Sequence, residues 1–295
     1  MRTIARFATA FALTTAAGLA PAQGLPPGVG YNPPKGPSPG VGYNPAPQPV
    51  QPPAAPQIKV VAVSDKNADQ VLRPGDVLIK MLNTKSEATT WGTAVTQGAI
   101  QQFLGAFSSA ARSGNPADVH AAIYLGNHQT AEAHRSSDED KEGTSLRDIE
   151  HHAGYLFYVF RPKNAALGAE AAAVAKRWAN WRMGYRVPWE TPFHNSDFGP
   201  KAQGEALAYG QASNTAGGPP GEKDMFCSQF VLAVYQAAVV RSELTRNPNL
   251  KATQVGMYPG VDRQASYTSP LVMHGHLQSS AGFTQLPMIV VQKSK

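Results

Sequence analysis

Proline divides the chain into two parts that must differ in how they fold. Residues 23–57 contain 12 of the 25 prolines, and the much longer stretch 58–295 contains the same number. Proline removes backbone donors, and the short stretch has no periodic apolar residues to bury, so it should stay extended and solvated. We therefore predict a Pro-rich disordered linker at 23–57 and one folded domain at 58–295.

The linker follows a segment that has the features of an export signal. Arg2 and Arg6 precede the apolar stretch Phe7–Ala20, which ends at the small residues Ala20-Pro21-Ala22. This order is typical of a secretory signal peptide. We predict that residues 1–22 are a signal peptide and that the protein is exported, either to the periplasm or out of the cell.

A short repeat lies inside the linker. The seven residues Pro27–Pro33 recur unchanged as Pro39–Pro45. Two copies are too few for a stacked-repeat fold. The sequence leaves two roles open: a plain spacer, or a short docking motif that displays Tyr31 and Tyr43.

Charge and cysteine content exclude several classes of protein. Three of the 26 basic residues and none of the 20 acidic ones lie in residues 1–57, which leaves 23 basic against 20 acidic residues in the predicted domain. That balance is too even for a nucleic-acid-binding surface. One cysteine cannot form an internal disulfide. No run of 18 or more apolar residues follows the N-terminal segment, so we predict no integral membrane segment.

Apolar periodicity predicts an α+β fold. Short apolar stretches next to turn residues predict four strands, around Val77–Ile79, Ala121–Leu125, Gln129–Ala133 and Tyr155–Phe160. Helical spacing covers three stretches, Ile100 to Phe107, Leu167 to Trp181 and Cys227 to Ala238. The Gly- and Pro-rich stretch Thr191–Lys223 is predicted as a long loop, and whether it closes over a site stays open. Together these patterns indicate an antiparallel sheet packed against helices.

Cys227 is the first candidate for chemistry. It begins a predicted helix, where Asp224 is available as an N-cap. Backbone N–H groups and the positive end of the helix dipole favour a thiolate there and can also hold an oxyanion. The alternative is a core cysteine, because Cys227 shares its apolar stripe with Val231 and Val234. A lone thiol in an exported protein favours the reactive interpretation.

His120 and Glu132 complete the candidate site, provided that the hairpin has the right register. A two-residue loop, Gly126-Asn127, would put Glu132 on the opposite face from His120. A three-residue loop, Gly126–His128, with a bulge at Asn127, would put both on one face. His120 would then be the general base and Glu132 the residue that orients it. In that register His134 lies opposite His120 and is the rival third residue.

Three ordered segments of this chain resemble the permuted papain-like amidases. They are Pro74–Leu78, His120–Ala133 and Phe226–Val231, and Ser269–Phe283 is similar to the family's last segment. These amidases belong to the superfamily of NlpC-type cell-wall cysteine peptidases, with YaeF/YiiX-like and lecithin-retinol-acyltransferase-like branches. In them, as here, the histidine segment precedes the cysteine helix, which is the reverse of the order in papain.

The resemblance implies a circularly permuted papain-like fold with the nucleophile at a helix N-terminus. It implies that Cys227 is the nucleophile, His120 the base and Glu132 the orienting residue. Two departures from the family pattern are Ala122, where a glycine is usual, and the charged insertion from His134 to Thr144.

The expected function is hydrolysis of an amide bond, most simply a peptide bond of peptidoglycan. One alternative is hydrolysis or transfer of an acyl group from a lipid or acyl-amide, and another is an inactive binding module. The sequence does not set the scissile bond or the oligomeric state. No cofactor or metal is expected, since His274-Gly275-His276 and His194 have no nearby acid to complete a metal site.

Overall fold

A computed structural model describes residues 59–81, 118–134, 143–180, 183–184, 197–214, 219 and 224–294. The predicted signal peptide, the linker with its repeat, the expected helix at 100–107, His194 and Trp181 lie outside these residues. Within the described ranges, no helix combines the length and the apolarity needed to cross a membrane.

Seven strands form one mixed sheet in the described part of the chain. They are β1 (Val60–Val63), β2 (Val77–Met81), β3 (Asp118–Gly126), β4 (Gln129–His134), β5 (Gly143–Asp148), β6 (Leu156–Pro162) and β7 (Phe283–Val291). Their order across the sheet is β1-β7-β6-β2-β3-β4-β5. Only the pairing of β1 with β7 is parallel among these neighbours, and the other five pairings are antiparallel.

Five α-helices accompany the sheet in the described ranges. They are α1 (Ala68–Val71), α2 (Ala165–Ala179), α3 (Pro200–Ala212), α4 (Cys227–Arg246) and α5 (Pro270–Ser279). A 3-10 helix, Ile149–His152, links β5 to β6, and two more cover Ala252–Gln254 and Ala265–Tyr267.

The two faces of the sheet bury different sets of side chains. One face presents Val77, Ile79, Ala121 and Ile123 to a core that contains the apolar stripes of α2 and α4. The other face presents Leu78, Ala122, Tyr124 and Phe157 to a smaller core that includes Ile149 of the 3-10 helix. Strand alternation produces both sets, because successive side chains point to opposite faces.

The turn at Pro74-Gly75-Asp76 fixes β2 against β6 and α2. Asp76 is fully buried and accepts hydrogen bonds from Arg161 Nε at 2.9 Å and Arg161 Nη2 at 2.6 Å. Gly75 has φ +93°, and a Cβ there would lie 2.4 Å from the Gly168 Cα of α2. The segment Pro74–Leu78 therefore has a structural role. A side chain at Gly75 would collide with α2, and the buried Asp76 needs the Arg161 charge beside it.

Most of the predicted elements in the described ranges are confirmed. The α+β class is correct, the four predicted strands correspond to β2, β3, β4 and β6, and two predicted helices correspond to α2 and α4. The sheet is mixed and not purely antiparallel as expected, because β1 pairs with β7 in parallel. Leu167, Ala171, Val174 and Trp178 form the buried stripe of α2, as their spacing predicts.

The loop prediction for Thr191–Lys223 is wrong in its middle, because α3 occupies Pro200–Ala212. Its buried residues are mostly small, so the helix packs by close approach rather than by a stripe of large apolar side chains. Asp224 is also not an N-cap: α4 begins after Phe226, and no side chain caps it. Thr144 was assigned to the charged insertion, but it is a buried residue of β5.

Packing of α3 against α4 gives a stability prediction with a matched control. A Cβ at Gly210 would lie 2.2 Å from Val240 Cγ1, whereas a Cβ at Gly204 of the same helix would meet nothing within 4 Å. Gly210→Ala should lower the free energy of unfolding by about 1–3 kcal/mol through overpacking. Gly204→Ala should raise it by up to about 1 kcal/mol through helix propensity. Urea denaturation of both variants measures the difference, and equal stabilities would contradict this packing.

Candidate functional site

The β3–β4 hairpin has the register that brings the two candidate side chains together. Ala122 pairs with Glu132 and Tyr124 with Thr130, so His120 and Glu132 share one face. Asn127 and His128 form the turn with φ of 52° and 61°, the sign that a two-residue type I′ turn requires. The register that the candidate site requires is thus present. The three-residue loop expected for it is wrong, because the turn is Asn127-His128 and the bulge lies between Tyr124 and Gly126, not at Asn127.

His120 and Glu132 form a short charge-assisted contact. His120 Nε2 lies 2.7 Å from Glu132 Oε2, and the side chains are 17% and 3% exposed. A carboxylate can only accept, so Nε2 carries the proton. The contact therefore fixes the orientation of the ring and leaves Nδ1 as the nitrogen that can face another partner.

Cys227 is the second neighbour that affects the His120 imidazole. It is the first residue of α4, and its side chain is near enough to the ring to raise the pKa of His120. The residue is 2% exposed. The helical layer supplies the sulfur and the start of β3 supplies the imidazole, so all three candidate residues meet although more than 100 positions separate Cys227 from His120 in the sequence.

His134, the rival third residue, has other partners. Arg147 donates to His134 Nε2, and Ser145 Oγ lies 3.4 Å from His134 Nδ1. Burial and the Arg147 charge both lower the pKa of His134. Glu132 is therefore the residue that the geometry favours for the third position.

A second histidine, His152, approaches the same carboxylate. His152 Nε2 lies 3.3 Å from Glu132 Oε2, and the residue is 3% exposed. It ends the 3-10 helix before β6, and its ring packs edge-on against Phe157 at a centroid distance of 5.5 Å. The sequence does not predict the contact between His152 and Glu132, because no regular residue spacing relates the 3-10 helix to the hairpin.

Burial and neighbouring charges shift the pKa values of His120, Glu132 and His152. Burial alone would lower the pKa of His120, but Glu132 and Cys227 raise it to about 10. Burial alone would raise the pKa of Glu132, but His120 and His152 bring it well below its usual range. Burial lowers the pKa of His152 to about 4. At neutral pH the site thus holds a charged His120, an ionised Glu132 and a neutral His152.

His274 and His276, which the sequence analysis considered as metal ligands, contact different residues. His274 is buried against the rings of Tyr158 and Phe160, with centroid distances of 4.3 Å and 5.2 Å. His276 Nε2 instead contacts Asp262 Oδ1 at 2.7 Å. Within the described ranges, no group of three or more His, Cys, Asp or Glu side chains has a metal-binding arrangement.

Comparison of the chain with protein-family models, with curated proteins and with solved structures gives no match. The interpretation of this site therefore depends on its own residues and geometry.

The raised pKa of His120 predicts a pH-dependent contribution to stability. The imidazole has an ordinary pKa of 6.5 and a folded value of about 10, so its charged form stabilises the fold fully below pH 6.5. That contribution is lost as the pH rises towards 10. The stability advantage of the wild type over His120→Gln should therefore shrink between these two pH values in urea denaturation series.

The Cys227 side chain also raises the pKa of His120. The comparison should be repeated with Cys227→Ala as the parent, where Glu132 still holds the charged imidazole. A stability difference that stays constant with pH in both backgrounds would contradict the assigned contact.

Proposed function

We propose that this protein is a cysteine hydrolase that cleaves an amide bond with Cys227, His120 and Glu132. The observation that carries the proposal is that His120 contacts Glu132 Oε2 at 2.7 Å and has Cys227 near enough to raise the pKa of the same ring. A nucleophile, a base and a group that orients the base are the parts that such chemistry needs. The resemblance to permuted papain-like amidases assigns the same three residues to the same roles.

The proposed reaction proceeds through an acyl-enzyme. The Cys227 sulfur, its proton held by His120, attacks the carbonyl carbon, and the carbonyl oxygen becomes an oxyanion. Backbone N–H groups at the N-terminus of a helix point out of it, so the start of α4 can bind that oxyanion. His120 protonates the leaving amine as the C–N bond breaks. Water then attacks the thioester, gives a proton to His120, and releases the acid and the thiol.

The proposed substrate is a peptide bond of peptidoglycan. Support comes from the predicted signal peptide, which would export the protein to the compartment where peptidoglycan lies, and from the resemblance to cell-wall peptidases. Incubation of the purified protein with muropeptides and, separately, with phospholipid vesicles tests this choice. New amino termini from muropeptides are expected. Fatty acid release from the vesicles alone would favour the acyl-lipid alternative.

Because Cys227 is buried, the decisive test of the enzyme proposal is whether a reagent can reach its sulfur. We expect iodoacetamide to alkylate Cys227 rapidly at pH 6, because a cysteine that acts as a nucleophile reacts with alkylating reagents faster than an ordinary thiol. His120→Gln should slow the alkylation strongly at this pH. The chain has one cysteine, so mass spectrometry reports this site alone. An unreactive thiol in the folded wild type would overturn the enzyme proposal and favour a binding module.

Replacement of the nucleophile should abolish turnover without unfolding the protein. Cys227→Ala is expected to reduce muropeptide cleavage to the uncatalysed background. Its circular dichroism spectrum should match that of the wild type, because the change removes one buried atom. Cleavage at the wild-type rate by this variant would reject the mechanism.

The third position is tested by two matched substitutions in β4. Glu132→Gln keeps the shape but removes the charge that holds His120 protonated at Nε2, and kcat should fall by about two orders of magnitude or more. His134→Gln removes the rival residue and should leave kcat close to the wild-type value. The opposite ranking in steady-state kinetics would transfer the orienting role to His134.

A further inference from the structure

Glu132 is a buried carboxylate with more than one neighbour that can support its charge. His120 occupies one side of Oε2 at 2.7 Å, and His152 Nε2 approaches the same oxygen at 3.3 Å. Arg147 Nε lies 3.8 Å from the other oxygen, Oε1. The His120 and His152 rings do not stack on each other, since their centroids are 6.5 Å apart.

The neighbours of His152 determine which of its ring nitrogens carries the proton. Nε2 lies 3.5 Å from Thr130 Oγ1 as well as near Glu132 Oε2. The Thr130 hydroxyl donates to the Arg147 carbonyl oxygen at 3.4 Å, so its own oxygen presents lone pairs to the ring. Both groups therefore require a proton on Nε2, and a lone pair there would face a negative charge.

The backbone holds this ring in a fixed place. His152 ends the 3-10 helix Ile149–His152, whose N-cap Asp148 accepts from Glu150 N at 2.8 Å. Ile149 N donates to the His128 carbonyl of the hairpin turn at 2.7 Å, and Tyr155 N donates to the His152 carbonyl at 3.2 Å. The helix is thus tied both to the hairpin that carries Glu132 and to the start of β6.

We propose that His152 is a positioning residue: its Nε2–H holds Glu132 in the rotamer that reaches His120. A glutamate side chain has three rotatable torsions, and one contact to His120 leaves alternatives that a second donor on the same oxygen removes. His152 does not touch the reacting atoms, so it acts only through Glu132. The expected effect of His152 on turnover rests on the proposed function. Its expected effect on the protonation of His120 does not.

The test uses two substitutions that separate the donor from the ring. His152→Phe removes the N–H but keeps an aromatic ring against Phe157. His152→Gln loses the ring but can place an amide N–H where Nε2 stands. The primary measurement is the imidazole titration of His120 by NMR, assigned from the spectrum of His120→Gln. Other titratable groups that face His152 are Lys80 and His151, and both are unchanged in the two His152 variants.

In His152→Phe, Glu132 is free to leave His120, so the His120 pKa should fall by about one unit or more. In His152→Gln it should stay near the wild-type value. Where the proposed function holds, kcat of His152→Phe should fall about tenfold with little change in KM, and His152→Gln should restore it. His151→Gln, next in the chain and exposed, is the matched control.

An unchanged His120 titration in folded His152→Phe would overturn the positioning role even if the enzyme is active. If that variant does not fold, His152→Asn removes the same donor, because its shorter amide does not reach Glu132, and the same prediction applies to it. A protein without hydrolase activity and without a reactive Cys227 would remove the proposed function, while the titration would still decide the role of His152.

Discussion

The charge of Glu132 is the constraint around which this site is built. A carboxylate that is 3% exposed has lost most of its hydration, and the cost is recovered only if donors replace the water. His120 donates to one oxygen, His152 Nε2 lies 3.3 Å from the same oxygen, and Arg147 lies near the other. The three come from separate elements of the fold: β3, the 3-10 helix and β5. The hairpin, the 3-10 helix and the outer strand must therefore all be in place for the carboxylate to stay ionised.

Local patterns in the sequence were sufficient for the elements that carry the three candidate residues. Apolar stretches on either side of a turn located β3 and β4, helical spacing located α4 with Cys227 at its start, and the requirement for a shared face named the hairpin register that the site needs. The exact turn could not be read, because a two-residue turn with a nearby bulge and a three-residue loop produce the same pairing. Asp224 was misassigned as a cap for a related reason, since the start of a helix varies by a few residues with little change in its apolar pattern.

Features that depend on distant parts of the chain were not predictable in this way. β1 pairs with β7 across more than 200 residues, and no local pattern specifies such a partner. Helix α3 was missed because its buried face consists mostly of small residues and not of large apolar ones. Ala202, Ala206 and Gly210 nevertheless recur every four residues, and this spacing was a signal of a helix. His152 was missed because the 3-10 helix is too short for periodicity, so only the fold reveals that it reaches Glu132.

A carboxylate in the third position makes a different demand from an imidazole. A neutral imidazole could orient His120 with one hydrogen bond and would carry no charge that other groups must neutralise. Glu132 holds His120 charged more strongly, which raises its pKa to about 10, but it must itself be neutralised. His152 remains neutral with a pKa near 4, so it can donate to Glu132 without competing with His120 for the ion pair. A charged second histidine would weaken the attraction between Glu132 and His120, and burial of His152 prevents that charge.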